Sequence, residues 1–394
     1  MRHPLVRQIS ADVSTNVCHT TKGVRGGKVL GDPVRVGRSM TLSDYEKKEW
    51  ERLQERKAVV LGKKTRNLLP AKARDGISAA TDKAKHAPGA DKVVAAYTSA
   101  AKGLGKATGS TATRTVSTKS VVKRYQKAGY EVSELSDIRE LDLKAVDSVA
   151  KFGRIRFGHS LTAAAGGIGS AAAITGGTVL ASAGGIAGAG AGAAPGAGTV
   201  ATALAADVAA VLGLSARTVA STGLYYGYDP RRAEEEIFLM SVIGLGMATE
   251  ASAKTAAYAE LSQLTQLLAR NATWAKLNEK VLTKIAQKFA AKFSVELPKK
   301  KLGQFVPVAG MLIGAGLNFA AIDRIAVAAD DAYRERFLVE KSGGDLTITV
   351  EEVRDPIQAG DDAIGMIELL REEDALPSPD PDPQQGGSVS GLGL

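Results

Sequence analysis

The chain has 394 residues, a formal net charge of +9 at pH 7 and a single cysteine, Cys18. One cysteine excludes a disulfide framework and a cysteine-based zinc site within the chain. Aromatic residues make up 5% of the sequence, which disfavours single-stranded nucleic-acid binding because such grooves depend on aromatic stacking platforms.

The two ends of the chain differ from its middle in composition. Residues 1–39 are basic, rich in turn-forming residues and without hydrophobic periodicity, so we expect a disordered leader. They contain no apolar segment as long as that of a secretory signal, which favours a cytoplasmic location. Residues 341–394 are acidic, and we expect a largely disordered tail with one short strand within DLTITVEEV. Residues 40–340 are predicted to form one helical domain.

The middle of the chain is organised around residues 157–206, a segment without Asp, Glu, Lys or Arg. Such a segment has no face suited to water, so it is either buried in protein or placed in lipid. Its Gly and Ala residues, spaced three and four apart, allow helices to approach closely. We therefore predict an all-α fold, in which a multi-helix bundle surrounds a Gly/Ala-rich apolar hairpin that turns near Pro195.

A second apolar run, residues 305–322, is almost long enough to span a bilayer. The sequence leaves open whether the two runs insert in a bilayer or form a buried core. Asn318 and Asp323 lie in or beside the second run, where each needs a polar partner. Each is interpreted either as a buried hydrogen-bonding group or as a polar spot in a ligand pocket.

Residues 274–293 show the most regular pattern in the chain. Lysines recur every four residues, and apolar residues recur in parallel, rotated by about 100° around a helix axis. This pattern predicts a basic amphipathic helix, whose lysine row either lies in solvent or binds an anionic membrane surface. The acidic tail offers an intramolecular partner for the same row. The five lysines of the row are Lys276, Lys280, Lys284, Lys288 and Lys292.

Several motifs, in their order and spacing, resemble the EcsC protein family of bacteria over about Leu42 to Glu340. They include SDIRELDL at 136–143, YYGYDPRRAEEE at 225–236 and VPVAGMLIGAGLNF at 306–319. The resemblance implies a helical protein related to one whose gene lies beside an ABC exporter operon, with a membrane-linked or hydrolytic role suggested for the family. The positions that match the family are Gly227, Tyr228, Asp229, Glu236, Pro307, Gly310, Gly314, Asn318, Tyr333 and Arg336. From the residues alone, Asp229 is also predicted to cap a helix that begins at Pro230.

The sequence GHSLT at 158–162 nearly matches the nucleophile elbow G-x-S-x-G, which makes Ser160 and His159 weak catalytic candidates. Thr162 replaces the final glycine, and the other histidines precede the serine, whereas an α/β-hydrolase base follows it. A serine in the interior of a helix is therefore the favoured interpretation. The glycine motifs of nucleotide-binding loops are incomplete, and no spaced set of metal ligands is present, so no cofactor or metal is predicted.

Two functional hypotheses follow. In the first, the protein is not an enzyme and associates with the inner face of the cell membrane, where its partners are lipid or a membrane transporter. In the second, it is a soluble helical enzyme, with hydrolysis as the first reaction to test, or a carrier with a pocket for a hydrophobic small molecule. Nucleic-acid binding is disfavoured because no recognition motif accompanies the basic charge.

Overall fold

The computed structural model describes residues 42–62, 117–165, 193–248, 251–269, 274, 276–301, 309–343, 346 and 365–376. Within these residues all regular secondary structure is helical, which confirms the predicted all-α class. The leader, the centre of the Ala/Gly segment at 166–192 and all but one residue of the predicted strand lie outside the described residues.

The α-helices that the structure describes lie in the predicted helical domain, and one more lies in the tail. A 3-10 helix, Ser136–Glu140, lies between the second and third of them. In chain order the α-helices are α1 (Asp44–Gly62), α2 (Thr118–Lys127), α3 (Leu143–Ala150), α4 (152–165), α5 (Ala193–Tyr225), α6 (Ala233–Met247), α7 (Ala251–Ala269), α8 (Glu279–Lys301), α9 (Ala309–Lys341) and α10 (Met366–Glu372).

Short polar side chains fix the starts of two helices. At α1 the Ser43 hydroxyl accepts from the Glu46 N–H at 3.2 Å, and the Glu46 carboxylate accepts from the Ser43 N–H at 2.9 Å. This reciprocal pair is a capping box. At α3 the Asp142 carboxylate accepts from the Lys144 N–H at 2.8 Å. Both caps satisfy N–H groups that have no partner within their own helix.

The prediction that Asp229 caps a helix beginning at Pro230 is wrong. Helix α6 begins at Ala233, and its N-cap is Arg232, which makes no side-chain capping bond. The Asp229 carboxylate instead accepts from the Arg231 backbone N–H at 3.1 Å and from the Arg231 guanidinium at 2.6 and 2.8 Å. These bonds to Arg231 lower the pKa of Asp229. Asp229 therefore shapes the turn before α6 and does not start the helix.

The core is built by α5, α6 and α9, which pack on one another. After an acidic first turn, helix α6 is buried on all sides from Ile237 to Met247. Near its end, Gly246 lies directly against α9, where an added Cβ would be 2.6 Å from the Cα of Ile325. The close approach of the two backbones therefore requires glycine at this position.

The described end of each apolar run continues into the helix that follows it. Pro195 lies in the first turn of the 33-residue helix α5, and the residues before it, where the predicted hairpin would turn, lie outside the described residues. A first turn tolerates proline because the missing N–H would have no intrahelical partner there. The described part of the second run joins the helix after it, and together they form the 33-residue helix α9.

Of the residues that the structure describes, the segment Asp207–Tyr225 within α5 is long and apolar enough to cross a membrane. Its burial inside the protein is 67%. The core helix of a soluble bundle passes the same test of length and composition, so this segment fits the packed core of the domain.

Candidate functional site

Helix α8 directs its apolar side chains to the core and its lysines outward. Leu277, Ile285, Phe289 and Phe293 are all buried, as the predicted periodicity requires. The helix begins at Glu279, five residues after the start of the periodic pattern at Trp274. The Asn278 side-chain oxygen accepts from the Val281 N–H at 3.1 Å and fixes this start. Lys276 consequently lies in the turn before the helix.

Four members of the lysine row bind carboxylates from the tail. Lys280 is exposed and has no ion pair among the described residues. The paired lysine side chains remain 38 to 55% exposed, so the carboxylates cover them only in part. The pairs and their N–O distances are Lys276–Asp374 at 2.9 Å, Lys284–Glu373 at 3.1 Å, Lys288–Glu372 at 2.8 Å, Lys288–Glu373 at 2.6 Å and Lys292–Glu368 at 3.5 Å.

Lys288 is the centre of this charge arrangement because it contacts two carboxylates at once. Hydrogen bonds to Glu372 and Glu373 raise the pKa of Lys288. The hydrogen bonds from Lys288 lower the pKa of both glutamates, and the hydrogen bond from Lys284 lowers that of Glu373 further. Lys288, Glu372 and Glu373 are therefore charged near neutral pH, and they attract one another through ion pairs that salt weakens.

The tail carboxylates are positioned by helix α10, which the sequence analysis did not predict. Its Met366, Leu369 and Leu370 side chains are at most 1% exposed. The helix packs on α6, α7 and α8. One side of α10 thus belongs to the hydrophobic core of the domain, while its carboxylates lie along the lysine row.

The start of α10 is held by Glu260 of α7. The Glu260 carboxylate accepts from the Met366 N–H at 3.0 Å and so caps the first turn of the helix. Burial raises the pKa of Glu260 to about 7, and the nearby Glu368 carboxylate adds to this increase, whereas the Met366 N–H and Lys292 oppose it. The docking of α10 therefore depends on a carboxyl group that titrates near neutral pH.

A second polar cluster lies in the core around Arg336 of α9, which is 3% exposed. Its guanidinium donates two 2.7 Å bonds to Glu235 and a third, also 2.7 Å, to Glu340. Its carbon lies 4.0 Å from the centre of the Tyr228 ring and 4.9 Å from that of Phe238. Burial lowers the pKa of Arg336, but Glu340 and Glu235 outweigh it and raise the pKa overall.

A neighbouring network ties α9 to α1 and α3. Arg334 donates to the two Asp147 oxygens at 3.0 and 2.6 Å, and the Tyr45 hydroxyl donates to Asp147 at 2.8 Å. Burial and the Asp147 carboxylate raise the pKa of Tyr45 to about 12. Nearly every charged group in these two networks faces an opposite charge, so their geometry fits cross-linking of helices.

A model of the EcsC protein family matches residues 41–338 of the chain. The chain belongs to this family. Among curated proteins it is similar to "Uncharacterized protein YdbA" of Bacillus subtilis (strain 168), with 29% identity over 137 residues. That alignment covers 33% of this chain and 46% of the relative, so it spans about half the length of that protein. No solved structure matches the chain.

Four of the EcsC-like positions meet in the Arg336 cluster. Gly227 has a φ of +88° and ends the turn after α5, where a Cβ would lie 2.9 Å from the Arg139 side chain. Tyr228 lies between Arg336 and Tyr333, and its ring stacks on that of Tyr333 with 5.5 Å between centres. These EcsC positions therefore specify the packing of the domain and leave no free charged group for a ligand.

The other EcsC-like positions are dispersed. Asp229 is bound in the turn before α6, and Glu236 lies in the first turn of that helix, where burial raises its pKa. Gly310 and Gly314 lie near the start of α9. Pro307 lies outside the described residues. These positions do not converge on one site in the described part of the chain.

The geometry around Ser160 does not form a catalytic pair. Ser160 lies inside α4, and its buried hydroxyl has no hydrogen-bond partner among the described residues. His159 Nδ1 lies 2.8 Å from the Thr218 hydroxyl, which itself donates to the Leu214 carbonyl, so His159 is the donor. Burial and Arg217 lower the pKa of His159. Within the described residues, no cluster of three His, Cys, Asp or Glu side chains could hold a metal ion.

Asn318 and Asp323 occupy different environments. The Asn318 amide donates to Asp207 at 2.9 Å, and both residues are buried between α9 and α5. This is the buried hydrogen bond that the sequence allows as one interpretation. Asp323 instead forms an exposed ion pair with Arg156 of α4. The two residues therefore do not share a polar pocket.

The sequence analysis named the acidic tail as a partner for the lysine row, and the ion pairs confirm this contact, but it missed Glu260 and the helical structure of α10. A signal was present in MIELLREED, where apolar residues at 366, 367, 369 and 370 are interleaved with acidic ones. The segment is too short for its periodicity to stand out from the acidic residues around it. The other signal was the negative charge of this segment, which is opposite to that of the lysine row.

Proposed function

We propose that this EcsC-family protein binds anionic membrane surfaces on the cytoplasmic side of the cell membrane through the lysine row. The observation that supports this proposal is the set of ion pairs, in which four of the five lysines, three of them in α8, bind carboxylates of the tail. A surface that arranges carboxylates in this way also suits lipid phosphates, because both present anionic oxygens to ammonium groups.

The dimensions of the lysine row suit a lipid surface. The four lysines within α8 span 12 residues, or about 18 Å of helix at 1.5 Å per residue. Each lysine near an anionic leaflet adds roughly 1 kcal/mol of attraction, so the row as a whole supplies useful affinity. The buried side of α8 keeps the lysines on the surface of a folded body, so binding requires no further ordering of the helix.

Membrane binding would also bring the protein to integral membrane partners. A membrane transporter is the partner class implied by the EcsC resemblance, and we include it in the proposal as a consequence of lipid binding. The transporter contact itself is assigned to no described residue.

The test measures co-sedimentation of the full chain with phosphatidylglycerol vesicles at low salt. The variant Lys280→Gln/Lys284→Gln/Lys288→Gln should bind about tenfold more weakly. The matched control is Lys119→Gln/Lys123→Gln/Lys127→Gln, which removes three exposed lysines with the same four-residue spacing from α2. The control should change affinity by less than about threefold. Equal losses in the two variants would show that net charge alone attracts the protein, and would refute the proposal.

Fractionation of expressing cells tests the location. Recovery in a high-salt wash of membranes supports electrostatic attachment through the lysine row. A wholly soluble protein whose vesicle binding is unaffected by the lysine changes would contradict the proposal. It would favour the hypothesis of a soluble protein with a hydrophobic ligand.

A further inference from the structure

The lysine row is occupied by part of the same chain. Four of the five lysines face the four carboxylates Glu368, Glu372, Glu373 and Asp374, so the positive charge of the row is largely cancelled in this structure. A surface in this state attracts anionic lipid far less than five free lysines would. The ion pairs and the proposed lipid contact therefore exclude each other at the same atoms.

We propose that α10 is a masking helix, an internal anionic ligand that covers the lysine row until an anionic membrane displaces it. This inference rests on the proposed function, because it concerns the regulation of the same surface. It assigns the tail of the chain a role in switching membrane binding on and off.

Two kinds of contact hold the masking helix in place. Its carboxylates bind the lysines, and its Met366, Leu369 and Leu370 side chains are buried against α6, α7 and α8. Salt weakens the first kind of contact but not the second. A small soluble anion would replace the carboxylates without offering anything to the apolar side. A membrane supplies many anionic headgroups in one plane and apolar surface beneath them, so it competes with both kinds of contact.

Because α10 is covalently joined to the domain, only a surface with many closely spaced anionic groups can displace it. Residues 342–365 join the end of α9 to the start of α10, so the masking helix never leaves the neighbourhood of the lysine row. Covalent attachment makes rebinding of the masking helix intramolecular, with an effective concentration on the order of millimolar. A competing anion must therefore be present at a higher local concentration. A membrane surface meets this requirement because several headgroups bind together.

The first experiment neutralises the masking helix in the full chain. Glu368→Gln/Glu372→Gln/Glu373→Gln keeps the shape of the side chains and removes three charges facing the lysines. The matched control removes three exposed carboxylates without an ion pair in the described structure, in the variant Glu51→Gln/Glu55→Gln/Glu131→Gln. Both variants gain the same net charge. The masking variant should bind phosphatidylglycerol vesicles about tenfold or more tightly than the natural chain, and the control by less than about threefold.

The second experiment observes the helix directly in the natural chain by hydrogen exchange. The backbone amides of residues 369–375 should exchange faster when phosphatidylglycerol vesicles are added and should not change with phosphatidylcholine vesicles. Unchanged exchange at vesicle concentrations that bind the protein would overturn the displacement step.

The two proposals fail in different ways. If the natural chain and the masking variant bind anionic vesicles equally, and both lose binding when the lysine row is neutralised, then the lysines bind lipid but α10 does not mask them. If neutralising the lysine row has no effect even in the masking variant, the proposed function is wrong and the masking inference falls with it. Salt-sensitive binding of the masking variant to duplex DNA without binding to vesicles would also overturn both.

Discussion

Arg336 shows how single residues join the helices of the core. Its planar guanidinium binds Glu235 through two parallel bonds, binds Glu340 through a third and stacks on Tyr228. A lysine ammonium retains the charge but can reproduce neither the paired geometry nor the stacking. Because Glu235 is itself buried, its negative charge would then be incompletely satisfied.

We therefore expect Arg336→Lys to lower the free energy of unfolding by roughly 2–4 kcal/mol, measured by urea denaturation. The control is Arg231→Lys, which weakens an exposed pair with Asp229 and should change stability by less than about 1 kcal/mol. Similar effects of the two substitutions would show that the buried network contributes no more than a surface ion pair.

At the scale of helices, the contact between α6 and α9 depends on Gly246. The Cβ of alanine would meet the backbone of Ile325, which cannot move away without shifting α9. Gly246→Ala should destabilise the protein by about 1–3 kcal/mol, as overpacking does elsewhere. Gly213→Ala in α5 is the control because no atom lies within 4 Å of the added Cβ. It should be neutral or stabilise by up to about 1 kcal/mol, since alanine favours the helix. Equal melting temperatures for the two variants would contradict this assignment.

The docking of α10 should depend on pH through Glu260. Burial raises the pKa of Glu260 to about 7 in the folded protein, from an ordinary value of 4.5. Its stabilising contribution is therefore complete below about pH 4.5 and is lost as the pH rises through about 7. Glu368 faces Glu260 and opposes its ionisation, whereas Lys292 and the N–H groups of Met366 and Ile367 favour it.

In Glu260→Gln the neutral amide still accepts from the Met366 N–H, so the variant should be stabilised relative to the natural chain at pH 8. We expect a gain on the order of 2 kcal/mol at pH 8 and almost none at pH 5. Urea denaturation at the two pH values measures it, with Glu131→Gln, an exposed position, as the control. The assignment is wrong if Glu260→Gln and the natural chain lose stability in parallel between these pH values.

Some features of these helices could be predicted from the sequence, and others could not. The lysine and apolar periodicity of α8 is a local pattern, so it could be predicted. The Glu260–Met366 bond joins residues 106 positions apart, and the Arg336–Glu235 bond joins residues 101 apart. Such contacts depend on how helices pack, which no local pattern contains. For the same reason the sequence predicted the lysine row but not the helix that covers it.

For the whole molecule, the described surface offers a second feature suited to lipid. Phe157 and Leu161 lie one turn apart on α4 and are 61% and 55% exposed. Among the described residues they are the most exposed large apolar side chains, and they lie side by side on one helix. Helix α4 contains the first residues of the uncharged segment 157–206, so Phe157 and Leu161 lie at the start of the most apolar part of the sequence. If they insert among lipid chains, their contribution to vesicle affinity will be less sensitive to salt than that of the lysine row.

Salt screens the lysine contacts but hardly affects the burial of apolar side chains. In the masking variant Glu368→Gln/Glu372→Gln/Glu373→Gln, vesicle binding that persists at high salt should therefore depend on Phe157 and Leu161. Adding Phe157→Ser/Leu161→Ser should reduce the high-salt affinity about tenfold, with a smaller effect at low salt. Val59→Ser on α1 is the control because Val59 is 50% exposed and lies on another helix. Equal effects of the two changes in a sedimentation assay would show that α4 stays outside the bilayer and that the lysine row alone provides the attachment.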